Sequence, residues 1–292
     1  MDNTENQIDI QEILKSLLAK KIFILSMSLV FAVLSIIYSL SLPNIYQSSS
    51  ILTISEAQSS KSSSTSAFGA LTSSFGMNIG SSNVNNAKVA ESVMNSWSFA
   101  EKLISDNNLE LLIGASKGWN EEEDRIVYDE DKYSEKENSW IKKPTSWELF
   151  QSLKSATTIS YDETDQFIYI SADSYSPKES KRLVDTYIKA INDHMRNRQI
   201  VMSNQNLVYL DEQLQKIKNK DLRDVFFSLI LQENKNKMLA ASNPEYMFVI
   251  VSKPMVPEKK YKPVRSIIVI SITLLGFFIS CLSVLFWKRT TQ

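Results

Sequence analysis

The sequence predicts an α+β protein: two transmembrane helices flanking an exported domain that has an α/β base and a long projecting helix. Three observations predict it. Two uncharged apolar runs, 22–42 and 266–287, stand near the ends of the 292-residue chain. Strand-like segments at 45–55, 157–173 and 246–252 are separated by helical patterns. No Gly or Pro interrupts Lys178 through Asn219, which is about 63 Å of chain if helical throughout.

Residues 1–21 begin polar and then place Ile8, Ile10, Ile13, Leu14, Leu17 and Leu18 at helical spacing beside Lys15, Lys20 and Lys21. That is the pattern of a cytoplasmic amphipathic helix lying on a membrane surface. The run 22–42 follows. It is about 21 residues long; the second run, 266–287, is about 22 residues and at 1.5 Å per residue reaches about 33 Å, against a hydrocarbon core of about 30 Å. The first run is too long for a signal peptide, and Pro43-Asn44-Ile45-Tyr46 offers no small-x-small cleavage site, so an uncleaved anchor is expected. Lysines before the first span, with Lys288 and Arg289 in the tail 288–292, put both termini in the cytoplasm and export 43–265. Lys259, Lys260, Lys262 and Arg265 lie on the outer side against that rule, but a loop of about 220 residues exceeds the length at which its charges set topology.

In the exported part, Ile45 to Ser55 reads as a partly polar strand, and Ser59 to Ser82, rich in Ser and small residues, as a loop or inter-subunit segment. Val89, Val93, Trp97, Ala100, Leu103 and Ile104 step by three and four, which predicts one helix from Asn85 to about Asn107. The acidic stretch 121–137 is expected to be a solvated loop; it lacks the glycine and the terminal glutamate in register that a calcium loop needs. Thr157–Tyr161 and Gln166–Asp173 flank a polar four-residue loop and read as a β-hairpin.

Ser176-Pro177-Lys178-Glu179 then places Ser at an N-cap, Pro at the first helical position and Glu at the third. The long helix it opens, about 178–219, carries Leu183, Val184, Tyr187, Ile188 and Ile191 early, and Leu207, Leu210, Leu214 and Ile217 late. A second amphipathic helix with Leu222, Val225, Phe226, Leu229 and Ile230 is expected to fold back on it. Tyr246 to Ser252 returns to the sheet. Pro254, Pro257 and Pro263 each lack an N–H and restrict the preceding residue, so 254–263 forms a stiff, extended lead into the second span.

Composition excludes several functions. A net charge of −1 and no basic, aromatic-interleaved patch argue against a nucleic-acid binder. The one cysteine, Cys281, lies in the second span, so neither an intramolecular disulfide nor a cysteine metal cluster is available. The one histidine, His194, falls within the long helix beside no recognisable nucleophile and acid pair, and no phosphate-binding G-x-x-x-x-G-K-[ST] occurs. No catalytic residue, cofactor or metal is expected. A two-span receptor is not expected, since tails of about 21 and 5 residues leave no room for its internal output domain unless a separate partner docks on the helices.

The order of Ile8-Asp-Ile-Gln-Glu-Ile-Leu, Pro43-Asn-Ile-Tyr-Gln-Ser, Tyr175-Ser-Pro-Lys-Glu, Glu245-Tyr-Met-Phe-Val-Ile-Val-Ser-Lys-Pro254 and the proline lead resembles the Wzz-type polysaccharide chain-length determinants, or polysaccharide co-polymerases. The resemblance covers nearly the whole chain. It implies an α/β base near the membrane, a ring-shaped homo-oligomer in the inner membrane, and a non-catalytic role in setting the length of O-antigen or a related glycan through a membrane polymerase. The family's proline segment is carried by Pro254, Pro257 and Pro263. Its glycine-containing second span is thinner here, with Gly276 and Ser280 as the clear small-xxx-small pair, facing either a sister subunit or the polymerase. Lys259, Lys260, Lys262 and Arg265 invite two readings: contact with the pyrophosphate of a lipid-linked polysaccharide, or pairing with phospholipid headgroups at about 1 kcal/mol per charge. Two other functional classes stay open, a kinase-coupled exopolysaccharide or capsule export adaptor and an envelope glycosidase.

Overall fold

The structure is a computed structural model that describes residues 19–55 and 82–290. The amphipathic segment expected before residue 19, and the Ser-rich segment except for Ser82, lie outside the described residues. The chain forms two compact units, one of Tyr46–Lys259 and one that joins Met1–Ile45 with Lys260–Gln292.

In the larger unit, β1 (Tyr46–Ile54) is central to a four-stranded sheet with β6 (Thr157–Tyr161), β7 (Ile168–Ser174) and β8 (Phe248–Ser252), in the order β6-β7-β1-β8 and antiparallel throughout. Alternation sets its buried face: Ile168, Ile170 and Ala172 point inward on β7 while Tyr169 is exposed. The helices α2 (Ser82–Met94), α3 (Trp97–Asp106) and α5 (Ser146–Ala156), with the single turn α4 (Glu110–Gly114), contribute Ala90, Met94, Phe99, Leu103, Leu112 and Leu153 to the same core.

The long helix, α6 (Pro177–Lys216), packs on β1 and β7 through Leu183, Val184, Tyr187, Ile188 and Ile191, all buried. Burying each such side chain contributes about 1.5–3 kcal/mol. Farther along, α6 leaves the sheet and pairs with α7 (Lys220–Ser242). Asn219 caps α7, its Oδ1 accepting from the N–H groups of Asp221 and Leu222. The expected seam holds: Leu207, Leu210, Leu214, Val225, Phe226, Leu229 and Ile230 are half-buried, although Leu222 is exposed.

Four expectations need correction. The helix from Asn85 to Asn107 is two helices, because Ser96 stops α2 and caps α3 by accepting from the Phe99 N–H at 3.4 Å. The acidic stretch is not all loop: β2 (Ser116–Asn120) pairs with β3 (Arg125–Tyr128), and β4 (Tyr133–Ser134) with β5 (Ser139–Trp140). Tyr128, Tyr133 and Trp140 stack edge-to-face at 5.5 and 5.6 Å, so aromatic contacts hold ribbons whose composition is charged. The long helix ends at Lys216, where Ile217 turns to extended backbone. At its start Ser176 occupies the N-cap but makes no side-chain cap hydrogen bond, and Glu179 pairs instead with Arg182 at 2.6 Å.

In the smaller unit, α1 (Lys21–Ser41) and α8 (Arg265–Thr290) pack together. Each is long and apolar enough to cross a membrane.

Candidate functional site

The two spans meet along one narrow stripe. On α1 the least exposed positions are Ile24, Ser28, Phe31, Ala32, Ser35 and Ser39, and on α8 they include Gly276, Ser280 and Val284, four residues apart. The other faces, with Leu25, Leu29, Ile37, Ile270, Leu274 and Phe278, are apolar and exposed. A core helix of a soluble protein would bury those faces; here they suit contact with lipid. Gly276 lies flat against Phe31: a Cβ there would fall 2.4 Å from Phe31 Cγ, so no larger residue fits without displacing the ring. Ser280 is buried and donates to its own helix at Phe277 O (2.7 Å), and Ser35 does the same at Ala32 O (2.7 Å). Satisfied internally, these hydroxyls act as small residues that let the helices approach. The structure thus places Gly276 against the chain's own first span.

Where the spans end, the two chain segments are tied together. The Ile45 N–H donates to Lys262 O at 2.9 Å, while the Tyr261 and Lys262 N–H groups donate to Ile45 O at 2.8 and 3.2 Å. Arg265 reaches back from the start of α8 to Asn44 Oδ1 at 3.1 Å and Leu42 O at 3.5 Å. Of the four expected cations, Arg265 is therefore engaged within its own unit, and the Lys262 ammonium lies over the Tyr261 ring at 4.8 Å. Lys259 and Lys260 are exposed, one closing the larger unit and the other opening the smaller. Pro263 is half-buried in the smaller unit.

The rest of the proline segment is docked on β1. Pairing of β1 with β8 shifts register between Ile51 and Leu52 and ends at Ser252. Beyond it Pro254 has no N–H to offer a ladder. Serine hydroxyls take over: Ser50 Oγ donates to Ser252 O and Ser48 Oγ to Met255 O, both at 2.7 Å. This explains polar residues on the buried face of a strand, a feature that sequence reading noted only as composition. Pro254 is buried, and Pro257 half-buried.

A further anchor was not foreseen. Asn192 of α6 is buried, its Oδ1 accepting from the Met247 and Phe248 N–H groups (2.9 and 2.8 Å) while its Nδ2 donates to Phe248 O (3.1 Å). One amide thereby satisfies three backbone groups at the start of β8. The available signal was an Asn beside Ile191 and four residues after Ile188, on the apolar face of the helix.

Two grooves bear on chemistry. One is lined by Asp124, Glu135 and Glu179, each ion-paired, to Lys178, Arg125 and Arg182 respectively. A general acid for glycoside cleavage needs a carboxyl kept protonated by a raised pKa. Its hydrogen bond to Lys178 holds the Asp124 carboxyl below the usual range instead. The other groove, between α3 and α6, contains His194, whose ring stands edge-on to Phe99 at 5.9 Å. Among the described residues no group of three or more His, Cys, Asp or Glu is placed to hold a metal.

Residues 6–107 match the family described as Chain length determinant protein, Wzz. Solved structures similar to the chain include a full-length bacterial polysaccharide co-polymerase, 14% identical with a TM-score of 0.42, covering 97% of this chain and 98% of that one. A fragment of WzzB, a polysaccharide co-polymerase from Salmonella Typhimurium, is 14% identical with a TM-score of 0.34 and covers 75% of this chain and 100% of the fragment. A comparison with curated proteins gives no match. The match over residues 6–107 takes in α1, β1, α2 and α3, and over that part the chain is similar to the Wzz-type chain length determinants.

Proposed function

We propose that the protein regulates the chain length of a surface polysaccharide, O-antigen or a related glycan, without itself making or breaking bonds. The observation that carries this reading is the family match over residues 6–107. In this reading both termini are cytoplasmic, residues 43–265 are periplasmic, and the domain acts in the inner membrane as a ring of identical chains beside a membrane glycan polymerase. The α6–α7 pair supports assembly. Its seam is half-buried, while Val208, Tyr209, Leu231 and Met238 remain exposed on the outer faces. A ring would cover such faces with two heterologous contacts per subunit.

The decisive measurement is the gel ladder of surface polysaccharide from cells with and without the protein. Clustering of lengths around a mode is expected only with it, and identical ladders would sink the proposal. Gly276→Leu should force Phe31 out of place and broaden the length distribution, since the span pair cannot close. An unchanged ladder from a normally inserted variant would remove the helix contact from the mechanism. Neutral variants of Lys259, Lys260, Lys262 and Arg265 that assemble and keep normal lengths would assign those charges to phospholipid headgroups rather than to lipid-linked glycan.

A further inference from the structure

The groove between α3 and α6 combines charge with a built floor. Phe99, Leu103 and Ala190 form its apolar base, and His194 rests edge-on against Phe99. Around it stand Lys102 and Asp106 from α3, and Lys189, Asp193 and Arg196 from α6, with Arg198 nearby on the same helix. Arg196 is spent on Asp193 at 2.9 Å, which leaves two lysines against the one carboxylate of Asp106. Among the described residues neither Lys102 nor Lys189 takes an ion-pair partner.

We propose that this groove is a phosphate-binding site, in which the Lys102 and Lys189 ammoniums and the His194 imidazolium together receive a phosphoryl group. The donors decide the ligand class. A carboxylate is best held by the planar fork of an arginine, and the groove's arginine is occupied. Two ammonium point charges and an imidazole suit a tetrahedral oxyanion, which accepts from several directions. The site does not depend on the polysaccharide reading, and nothing in that reading requires it.

The histidine provides the readout. Burial, then the charges of Lys102 and Arg198, hold its pKa below the ordinary value, so an anion that neutralises this field must raise it. The chain contains a single histidine, so carbon-labelled histidine in untagged, full-length protein in detergent gives one ring signal. The ring is titrated at constant ionic strength in chloride and in inorganic phosphate. Phosphate should move the midpoint up by about half a pH unit or more, so that phosphate binds about threefold tighter to the protonated form.

The double variant K102Q/K189Q should raise the midpoint in chloride and abolish the phosphate increment, while K102R/K189R should keep it. A sugar 1-phosphate giving a larger increment than inorganic phosphate would identify a glycosyl phosphate as the source of the group. Equal increments would assign free phosphate; either result sustains the site. Identical midpoints in chloride and phosphate would overturn it, as would an equal response to glucuronate or a phosphate response that survives K102Q/K189Q.

Discussion

The two halves of α6 are one continuous helix held in different ways. The first half lies on the sheet, with Leu183, Val184, Tyr187, Ile188 and Ile191 in the core and Asn192 bonded to β8. The second half has α7 beside it and a polar cluster at its centre. Ser203, fully buried, donates to Glu233 Oε2 at 2.8 Å and accepts from Gln199 Nε2 at 3.0 Å, and Asn206 donates to Glu233 Oε1 at 3.2 Å. Apolar burial gives the first half its stability, whereas hydrogen bonds that are specific in direction but modest in net energy align the second. A half-buried seam leaves apolar side chains of the α6–α7 pair, such as Val208, Tyr209, Leu231 and Met238, exposed.

Substitutions along α6 separate the two regimes. Ile191→Ala should cost about 2–5 kcal/mol, read as a lower urea midpoint for the full chain in detergent, because it opens a cavity under the sheet. A loss below about 1 kcal/mol would mean that the first half is not core. Asn192→Leu fills similar space but strands the Met247 and Phe248 N–H groups and Phe248 O, so a loss of about 3 kcal/mol is expected, with faster hydrogen exchange at β8. Ser203→Ala should cost about 1 kcal/mol and raise exchange in α7 while β8 stays protected; exchange rising equally in both would dissolve the distinction between the halves.

Smaller effects test the edges of the comparison. His194 has a folded pKa below its unfolded value of about 6.5, so the neutral ring favours folding. That contribution is full above the unfolded value and is lost as pH falls from there through the lower folded value, since the unfolded chain takes up the proton first. His194→Gln should flatten the loss of thermal stability as pH falls below about 6.5, and an unaltered profile would assign the acid response to other groups. Tyr209→Ser, on the exposed face of α6, should change the stability of the fold by no more than about 0.5 kcal/mol. It should nevertheless lower the oligomer mass in detergent, and an unchanged mass would remove this face from assembly.

Much of this was legible in the residues. The Pro177 start, the hairpin at 157–173, the apolar registers of α6 and α7 and the two uncharged runs are local patterns, set by neighbours within a few positions. The α5 helix was legible too and passed unread: Thr145-Ser-Trp-Glu148 is a capping box, in which the Glu148 N–H donates to Thr145 Oγ1 and the Thr145 N–H to Glu148 Oε2. The short ribbons at 116–140 were hidden because their strands are brief, charged at the turns and held by aromatic contacts between ribbons.

By itself, then, the sequence determined the class of fold, the two apolar spans and the long helix with its returning partner, because period, caps and uncharged length are properties of neighbouring residues. Only the tertiary structure decided that Gly276 meets Phe31, that Ser48 and Ser50 hold the proline segment, that Asn192 closes the start of β8, and that His194 shares a groove with Lys102 and Lys189. Each of these contacts joins residues distant in sequence or on different elements. No periodicity specifies such partners; the packing of the whole chain selects them.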